Sequence, residues 1–262
     1  MLRALYSSAS GMESQQMNLD VIANNLANVN TTGFKKAKIE FQDLLYQTKR
    51  AAGAESGPGT QVPTSLQVGH GARPVSTAKI FTAGEIMSTG ERLDLAIHGN
   101  GFFKVTLADG TNAFTRDGGF KLDSTGQIVT SDGLPVTSFA GVTISPEATN
   151  VSISQTGLVS VTQNGTTSTA GSLVLSRFAN SAGLENIGAN LYRETPASGT
   201  EQTGEPGNAG MGTVQQGYLE LSNVKVVEEM VNLIKAQRAY EINSKAIQAA
   251  DEMMSMSNRL RG

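Results

Sequence analysis

The C-terminal part of the chain has the longest regular pattern of apolar and polar positions. Between Asn223 and Leu260 there is no proline, and the apolar residues recur at the three-to-four-residue spacing of a helix. They are Val226, Val227, Met230, Leu233, Ile234, Tyr240, Ile247, Met253, Met254 and Leu260. Glu228 and Glu229 near the start and Arg259 near the end suit the helix dipole. Ser222 or Asn223 is the expected N-cap.

Such a helix would be about 55 Å long at roughly 1.5 Å per residue, so it needs a long partner. Because its apolar residues come in adjacent doublets, the apolar stripe is broad enough to contact more than one neighbour. The alternative is a core helix of an ordinary α/β domain.

The N-terminus predicts the partner helix. Its pattern follows a 3,4 spacing through Leu2, Leu5, Ala9, Met12, Gln16, Leu19, Ala23 and Leu26. Gly11 inside this pattern costs roughly 1 kcal/mol relative to alanine, so the helix is expected to be stable only against the C-terminal helix or against copies of itself. Residues 1–34 and 223–262 are therefore predicted to form one discontinuous helical domain packed as a coiled coil.

An asparagine-rich segment, Ala23 to Phe34, follows this helix. The simplest interpretation is a helix end at which Gly33 takes the left-handed C′ position and Phe34 folds back on Val29. That interpretation leaves Asn24, Asn25 and Asn28 unexplained, and we expect their side chains to bond to the backbones of neighbouring helices.

The middle of the chain, residues 76–222, predicts a β-rich domain. Leu93, Leu95 and Ile97 alternate with polar or small residues, and further short apolar runs follow at 102–107, 126–130 and 134–136. Asn-Gly and Asp-Gly pairs separate the runs, as in hairpins. Weaker strands are expected between Val142 and Leu175. The predicted fold class is α+β, with two long terminal helices and an antiparallel sheet or small barrel between them.

Residues 35–75 read as an extended, irregular arm. The run Gly69-His70-Gly71-Ala72-Arg73-Pro74 is an incomplete GxGxxG with proline at the third glycine, so it does not predict a dinucleotide site.

Composition excludes several function classes. The chain has no cysteine, two histidines and a net charge of −3 without a basic stripe, so no zinc site, no cofactor and no nucleic-acid partner are expected. No run approaches the roughly 20 apolar residues of a membrane span, and the first residues do not resemble a secretory signal peptide. No catalytic residue is predicted. A peptidoglycan-cutting enzyme remains the alternative from another class, with its carboxylates among Glu85, Glu91, Asp94, Asp109 and Asp117.

Both ends of the chain resemble a known family. Ala23 to Phe34, with Leu5 and Ser10-Gly11-Met12 upstream, resembles the N-terminal signature of the flagellar rod and hook family of axial proteins. Asn223 to Ala246 is similar to the matching end signature, through its run from Gln237 to Glu241 and Asn243. Leu93 to Val136 resembles the β-core of the family, and Leu44 to Pro74 resembles the insertion that marks its distal-rod members.

The resemblance implies a structural subunit, not an enzyme. The subunit would polymerise into the distal rod, the drive shaft that transmits torque from motor to hook. It would be exported to the periplasm by the flagellar type III apparatus without a cleaved signal peptide. Its expected partners are copies of itself, proximal rod subunits, hook-side subunits and the bushing rings around the shaft. A proximal rod or hook subunit is the alternative within the family, and the 44–74 insertion argues against both.

The residues expected at the assembly interface lie at the two ends of the chain. They are Leu5, Met12, Leu19, Asn24, Asn25, Leu26, Asn28, Gly33, Phe34, Leu233, Tyr240, Asn243 and Ile247. The apolar members are expected to pack the helices within or between subunits, and the asparagines to set their register.

Overall fold

The computed structural model describes residues 2–57, 60–139, 141–145, 148, 150–163 and 165–259. This part of the chain contains two α-helices, α1 (Leu2–Ala27) and α2 (Val226–Arg259). The predicted terminal helices and the α+β class are thus confirmed, while the expected helix end at Leu260 lies outside the described residues. Neither helix is apolar enough over a sufficient length to cross a membrane.

The chain divides into two compact units. The first combines Met1–Ala27, Ala37–Ala78 and Lys225–Gly262, and the second combines Asn28–Lys36 and Lys79–Val224. The sequence-based division into residues 1–34 with 223–262, 35–75 and 76–222 remains a prediction.

In the first unit the two helices pack against each other, and the arm forms a two-stranded ribbon. Strand β1 (Ala37–Asp43) pairs with β6 (Ala72–Lys79), β2 (Tyr46–Arg50) with β5 (Leu66–Gly69), and β3 (Glu55–Gly57) with β4 (Thr60–Gln61). The expectation of an irregular arm was therefore wrong. The physical reason is the alternation of Ile39 and Phe41 with polar residues, which suits a pleated strand, together with the turn at 51–54.

In the second unit every strand has a partner. The strands are β7 (Ile86–Ser88), β8 (Leu95–His98), β9 (Phe103–Thr106), β10 (Asn112–Thr115), β11 (Lys121–Leu122), β12 (Ile128–Val129), β13 (Asn150–Ile153), β14 (Leu158–Gln163), β15 (Thr166–Ser172), β16 (Leu175–Arg177), β17 (Glu185–Gly188), β18 (Leu191–Arg193), β19 (Gln202–Gly204), β20 (Thr213–Gln216) and β21 (Tyr218–Glu220). They form one four-stranded sheet (β17-β18-β10-β9), one three-stranded sheet (β13-β14-β15) and the pairs β7-β21, β8-β20, β11-β12 and β16-β19. All these pairings are antiparallel, as predicted.

Two apolar clusters fill this unit. The larger one draws on the sheets and their turns, and its most buried members are Leu95, Ile97, Phe103, Val105, Val159, Leu173 and Leu175. The segment expected to hold weaker strands contributes the three-stranded sheet, whose Val151, Ile153, Val159 and Val161 alternate into this core. The smaller cluster is aromatic, with Phe102, Phe114, Phe178 and Tyr192 in edge-to-face contacts.

Candidate assembly surface

Helix α1 carries a narrow seam that half agrees with the predicted one. Leu5, Met12, Leu19 and Leu26 are half-buried, at the predicted spacing. The positions between them differ from the prediction: Ser8 and Ile22 are buried, whereas the expected Ala9, Gln16 and Ala23 are exposed. At this point the seam contains Ile22 instead of the predicted Ala23. Burying the larger apolar side chain of Ile22 removes more apolar area from water.

A second side of α1 contacts the arm. The Ser14 hydroxyl donates to the Ala72 carbonyl at 3.4 Å. A Cβ at Gly71 would overlap the Ser10 hydroxyl, so the ribbon approaches the helix closely there. Ser10 and Ser14 of α1 therefore contact the ribbon. The helix thus packs on two sides, through its seam and through these serines.

The face of α2 turned toward α1 is lined by small residues. Ala236 and Ala250 are buried, and Leu233, Asn243 and Ile247 are half-buried between and beside them. Alanine allows the two helix axes to approach, and the 3,4 spacing of these positions makes one continuous stripe. The predicted Leu233, Asn243 and Ile247 all lie on this stripe, whereas the Tyr240 side chain is 39% exposed at its border.

Two contacts set the antiparallel register of the helices. The Asn243 side chain lies against Gly11, where a Cβ would be 2.9 Å from the Asn243 Nδ2 atom. Farther along, the Asn25 Nδ2 donates to the Glu229 carboxylate at 3.3 Å. Gly11, costly for helix propensity, is therefore used to admit the asparagine side chain.

Asn25 is the best-connected member of the asparagine-rich segment. Its side chain is buried, its Nδ2 donates to the Ala37 carbonyl at 2.9 Å, and its Oδ1 accepts from the Ala37 amide at 2.9 Å. The side-chain amide of Asn25 thus bonds to both backbone groups of Ala37, as the peptide group of a neighbouring strand would. It joins the end of α1 to the start of the arm.

Asn24 and Asn28 take other positions. Asn24 is exposed on α1, and Asn28 follows the helix end, where its Oδ1 accepts from the Thr31 hydroxyl at 3.2 Å. The structure thus separates the three asparagines, of which Asn25 joins the arm and α2.

The opposite face of α2 is exposed and carries apolar side chains, with the charged Arg238 and Glu241 among them in the middle of the helix. Val227 is 75% exposed, Ile234 56% and Ile242 66%. Met230, Val231, Met253 and Met256 continue the same band along the helix. Its angular position, about 100° per residue, places the band on the side away from the alanine stripe. The apolar doublets of the sequence therefore correspond to two faces, one covered by α1 and one uncovered in the single chain.

Gly33 and Phe34 lie beyond the helix end, in the second unit. Gly33 has φ +67°, but α1 ends at Ala27, so Gly33 is not the C′ residue of that helix. A Cβ at Gly33 would be 2.5 Å from the Asp117 amide nitrogen, so close packing also requires glycine. Phe34 is buried, with the Lys79 ammonium 4.3 Å above its ring, a cation–π contact.

A buried ionic cluster lies next to Gly33. The Lys35 Nζ donates to Glu220 Oε1 at 2.5 Å and to the Thr82 carbonyl at 2.8 Å. The Arg116 Nε is 3.7 Å from Glu220 Oε2, and the Gly84 amide donates to Glu220 Oε1 at 2.9 Å. Burial lowers the pKa of Lys35 and of Arg116, and Glu220 opposes both shifts. Sequence reasoning missed this cluster because its members are far apart along the chain.

Asn223 joins three segments instead of capping α2. Its Oδ1 accepts from the Lys36 amide at 2.7 Å, and its Nδ2 donates to the Ile80 carbonyl at 2.7 Å. Helix α2 begins three residues later, where the Glu229 amide bonds to the Lys225 carbonyl. Asn223 therefore ties residues 36 and 80, which are far apart in sequence, to the end of the same unit.

Three of the five carboxylates considered for catalysis accept hydrogen bonds from neighbouring residues. Asp94 accepts from the Thr89 hydroxyl at 2.5 Å, Asp117 from the Thr32 hydroxyl at 2.8 Å, and Asp109 closes a turn with Thr111. Among the described residues no group of three His, Cys, Asp or Glu side chains is placed to hold a metal.

Fold and surface together define an α+β protein with an exposed apolar helix face, and the family models that match the chain are those of flagellar rod and hook proteins. Three protein-family models match the chain. The one described as flagella basal body rod protein matches residues 5–35, and the one described as flagellar hook protein FlgE/F/G D1 domain matches residues 96–161. The one described as flagellar basal body rod FlgEFG protein C-terminal matches residues 215–260.

Full-length relatives narrow the class. The chain is 50% identical to the flagellar basal-body rod protein FlgG of Borreliella burgdorferi, over 100% of this chain and 99% of the relative. It is 44% identical to FlgG of Bacillus subtilis, over 97% of each chain, and 36% identical to FlgF of Caulobacter vibrioides, over 95% of this chain and 94% of that one. The chain belongs to the flagellar basal-body rod protein family, whose members are structural proteins and not enzymes.

Proposed function

We propose that this protein polymerises into the distal rod of the flagellar basal body and transmits torque from the motor to the hook. The observation that carries the proposal is the uncovered apolar band of α2. Val227, Met230, Val231 and Ile234 form a contiguous exposed group at the start of α2, and a protein rarely exposes such a group unless it binds something there. A contact of this band with a different surface on the next copy does not close on itself, so it builds a helical filament.

The distal position rests on two further observations. The chain is more similar to the relatives named FlgG than to the relative named FlgF. Its arm also contains the 44–74 segment that resembles the distal-rod insertion, which argues against a proximal rod or hook subunit. We therefore assign proximal rod subunits, hook-side subunits and surrounding rings as neighbours, and the periplasm, reached by type III export, as the location.

In this proposal the terminal helices of neighbouring copies form a coiled-coil inner layer, and residues 76–222 form an outer layer. Leu5, Met12, Leu19, Leu26, Leu233 and Ile247 pack the helices within one chain, while the exposed band and Tyr240 contact the next copy. The alternative of a cell-wall-cutting enzyme is not retained, because the family is structural.

The test is a charge placed on the uncovered band. Ile234→Asp should leave the monomer folded, because the side chain is exposed in the single chain. In a filament the new carboxylate would be buried without a partner, which costs several kcal/mol. We expect the critical concentration for polymerisation to rise at least about tenfold, the equivalent of about 1.4 kcal/mol. Gln237→Asp, an exposed polar position on the same helix, is the matched control. Normal filaments from Ile234→Asp would contradict the proposal.

A further inference from the structure

A cleft in the second unit joins the aromatic cluster to the ionic cluster. It has a volume of about 270 Å³, and its walls include the rings of Phe81, Phe102 and Phe178. Arg116 and Arg177 also line it. The volume is slightly below that of ordinary small-molecule pockets, about 300–1,000 Å³, so the cleft suits one side chain or one small molecule.

Arg116 has hydrogen-bonding capacity that the described residues leave unused. Its side chain is 3% exposed, and its Nη2 donates to the Gly99 carbonyl at 2.6 Å. The buried Nη1 has no hydrogen-bond partner among the described residues, whereas Nε faces Glu220 Oε2 in an ion pair at 3.7 Å. Buried donors are nearly always satisfied in native proteins, so an orphaned guanidinium donor beside a cleft points to an acceptor from outside the chain.

The charge balance around the cleft is positive. Lys35 and Arg116 are both buried, and they share the single carboxylate of Glu220. Arg177, the second arginine of the cleft, donates to neutral acceptors, the Gln202 side chain at 3.1 Å and the Ala209 carbonyl at 3.3 Å. Two guanidinium groups with incomplete charge compensation favour an anion.

We propose that this cleft binds a carboxylate group, held by Arg116 and Arg177 between the phenylalanine rings. The planar fork of a guanidinium matches two carboxylate oxygens, and the aromatic walls lower the local dielectric constant, which strengthens the attraction. The carboxylate comes either from an acidic side chain of a neighbouring chain or from a free small carboxylic acid.

The first experiment uses acetate as the probe and acetamide as its uncharged counterpart. The full-length protein, kept dilute enough to stay monomeric, is titrated at constant ionic strength while the arginine Nε–H signals are followed by NMR. We expect saturable shifts at Arg116 and Arg177 with acetate and none with acetamide. Shifts that grow linearly without saturation, or equal shifts with acetamide, would overturn the proposal.

A pair of variants tests the cleft without disturbing the buried cluster. Arg177→Gln should weaken acetate binding at least about tenfold, because it removes one of the two cations. Arg193→Gln is the matched control, since Arg193 is exposed and pairs with Glu185 outside the cleft. Equal acetate affinity in Arg177→Gln and the unchanged protein would also overturn the proposal.

The critical concentration for polymerisation, measured with and without acetate, distinguishes the two sources of the carboxylate. If a neighbouring chain supplies the group, saturating acetate should raise the critical concentration, and Arg177→Gln should raise it without acetate. If a free acid occupies the cleft, acetate should bind without changing polymerisation. Because acetate binding is measured on the monomer, its result stands whether or not the protein forms filaments.

Discussion

Gly33 and Lys35 lie two residues apart, and each belongs to the second unit for a different reason. Gly33 is there because a left-handed backbone passes against Asp117 with no room for a Cβ. Lys35 is there because its ammonium donates to Glu220 and to the Thr82 carbonyl inside a buried cluster. The same short segment is thus fixed in two ways, by the close approach that glycine allows at Gly33 and by the buried ion pair of Lys35. Single substitutions can separate the two effects.

Gly33→Ala should destabilise the protein by about 3 kcal/mol. The left-handed conformation costs about 1–2 kcal/mol for alanine, and the overlap with the Asp117 amide adds about 1–3 kcal/mol. Gly110→Ala is the matched control, because Gly110 has φ +81° and an open space where the Cβ would lie, so it should cost only about 1 kcal/mol. Urea denaturation of both variants gives the comparison, and equal losses would show that the close approach is unimportant.

Tyr192 should make the protein sensitive to alkali. Burial raises the pKa of Tyr192 to about 12, with Arg116 acting against the shift. Because the folded pKa exceeds the unfolded value of 10.0, its contribution is complete below pH 10 and is lost as the pH rises from 10 to about 12. The slope is about 1.4 kcal/mol per pH unit for one proton.

Tyr192→Phe should therefore lose stability less steeply than the unchanged protein between pH 10 and 12. The lowered pKa of Lys35 acts in the opposite direction below pH 10.5, but it is common to both proteins and cancels in the comparison. Tyr6→Phe, at a tyrosine that is 71% exposed, is the control. Parallel stability curves for Tyr192→Phe and the unchanged protein would refute the assignment.

At the scale of elements, the two helices use their sequences differently. Helix α1 has one apolar seam and a serine-rich side against the arm, whereas α2 has an alanine-lined inner face and an exposed outer face with several large apolar side chains. The two contacts at Gly11–Asn243 and Asn25–Glu229 keep them antiparallel. Packing within the chain thus uses one side of α2, and the opposite side is exposed in the single chain.

Leu19→Asp should loosen the helix pair and leave the second unit folded. Leu19 is half-buried on the α1 seam, and an isolated helix of this composition is marginal in water. We expect reduced helical circular dichroism, unchanged NMR signals from residues 79–224 and no filaments. Gln16→Asp, at an exposed position of α1, should change neither property. Normal filaments from Leu19→Asp would remove α1 from the assembly surface.

At the scale of the whole molecule, the least self-sufficient part is the arm. A two-stranded ribbon is at best marginally stable in water, and the arm exposes Leu45, Tyr46 and Leu66, of which Leu45 is 86% exposed. Residues 79–224, in contrast, contain two buried apolar clusters. The arm is therefore expected to be stabilised by the surroundings that the polymer provides.

Limited chymotrypsin digestion should cut the monomer first within the arm, near Leu45, Tyr46 and Leu66. In filaments the same sites, and the outer face of α2, should be protected because neighbouring copies cover them. Leu122 and Leu158 of the second unit, both exposed, report whether filaments protect sites generally. The same order of cleavage at the same rates in monomer and filament would contradict the proposed polymer contacts.

Patterns within one element were predictable from the sequence. Helical spacing located both terminal helices, hairpin turns located the β-rich middle, and the apolar doublets of α2 indicated two contact faces. The seam of α1 was predicted at Leu5, Met12, Leu19 and Leu26 but not at Ser8 and Ile22, because the 3,4 pattern was placed on Ala9 and Ala23, whereas burial favours the larger apolar side chain of Ile22. The arm was predicted to be irregular because its pairing joins residues far apart in sequence.

The sequence by itself determined the local structure, since helix and strand periodicities, turn residues and glycine positions depend on neighbours along the chain. Tertiary structure alone decided which polar residues are structural. Asn25, Asn223, Lys35 and Glu220 owe their roles to partners that lie far from them along the chain. A buried polar group is stabilised only where folding brings it a partner, so its role depends on the packing of distant segments.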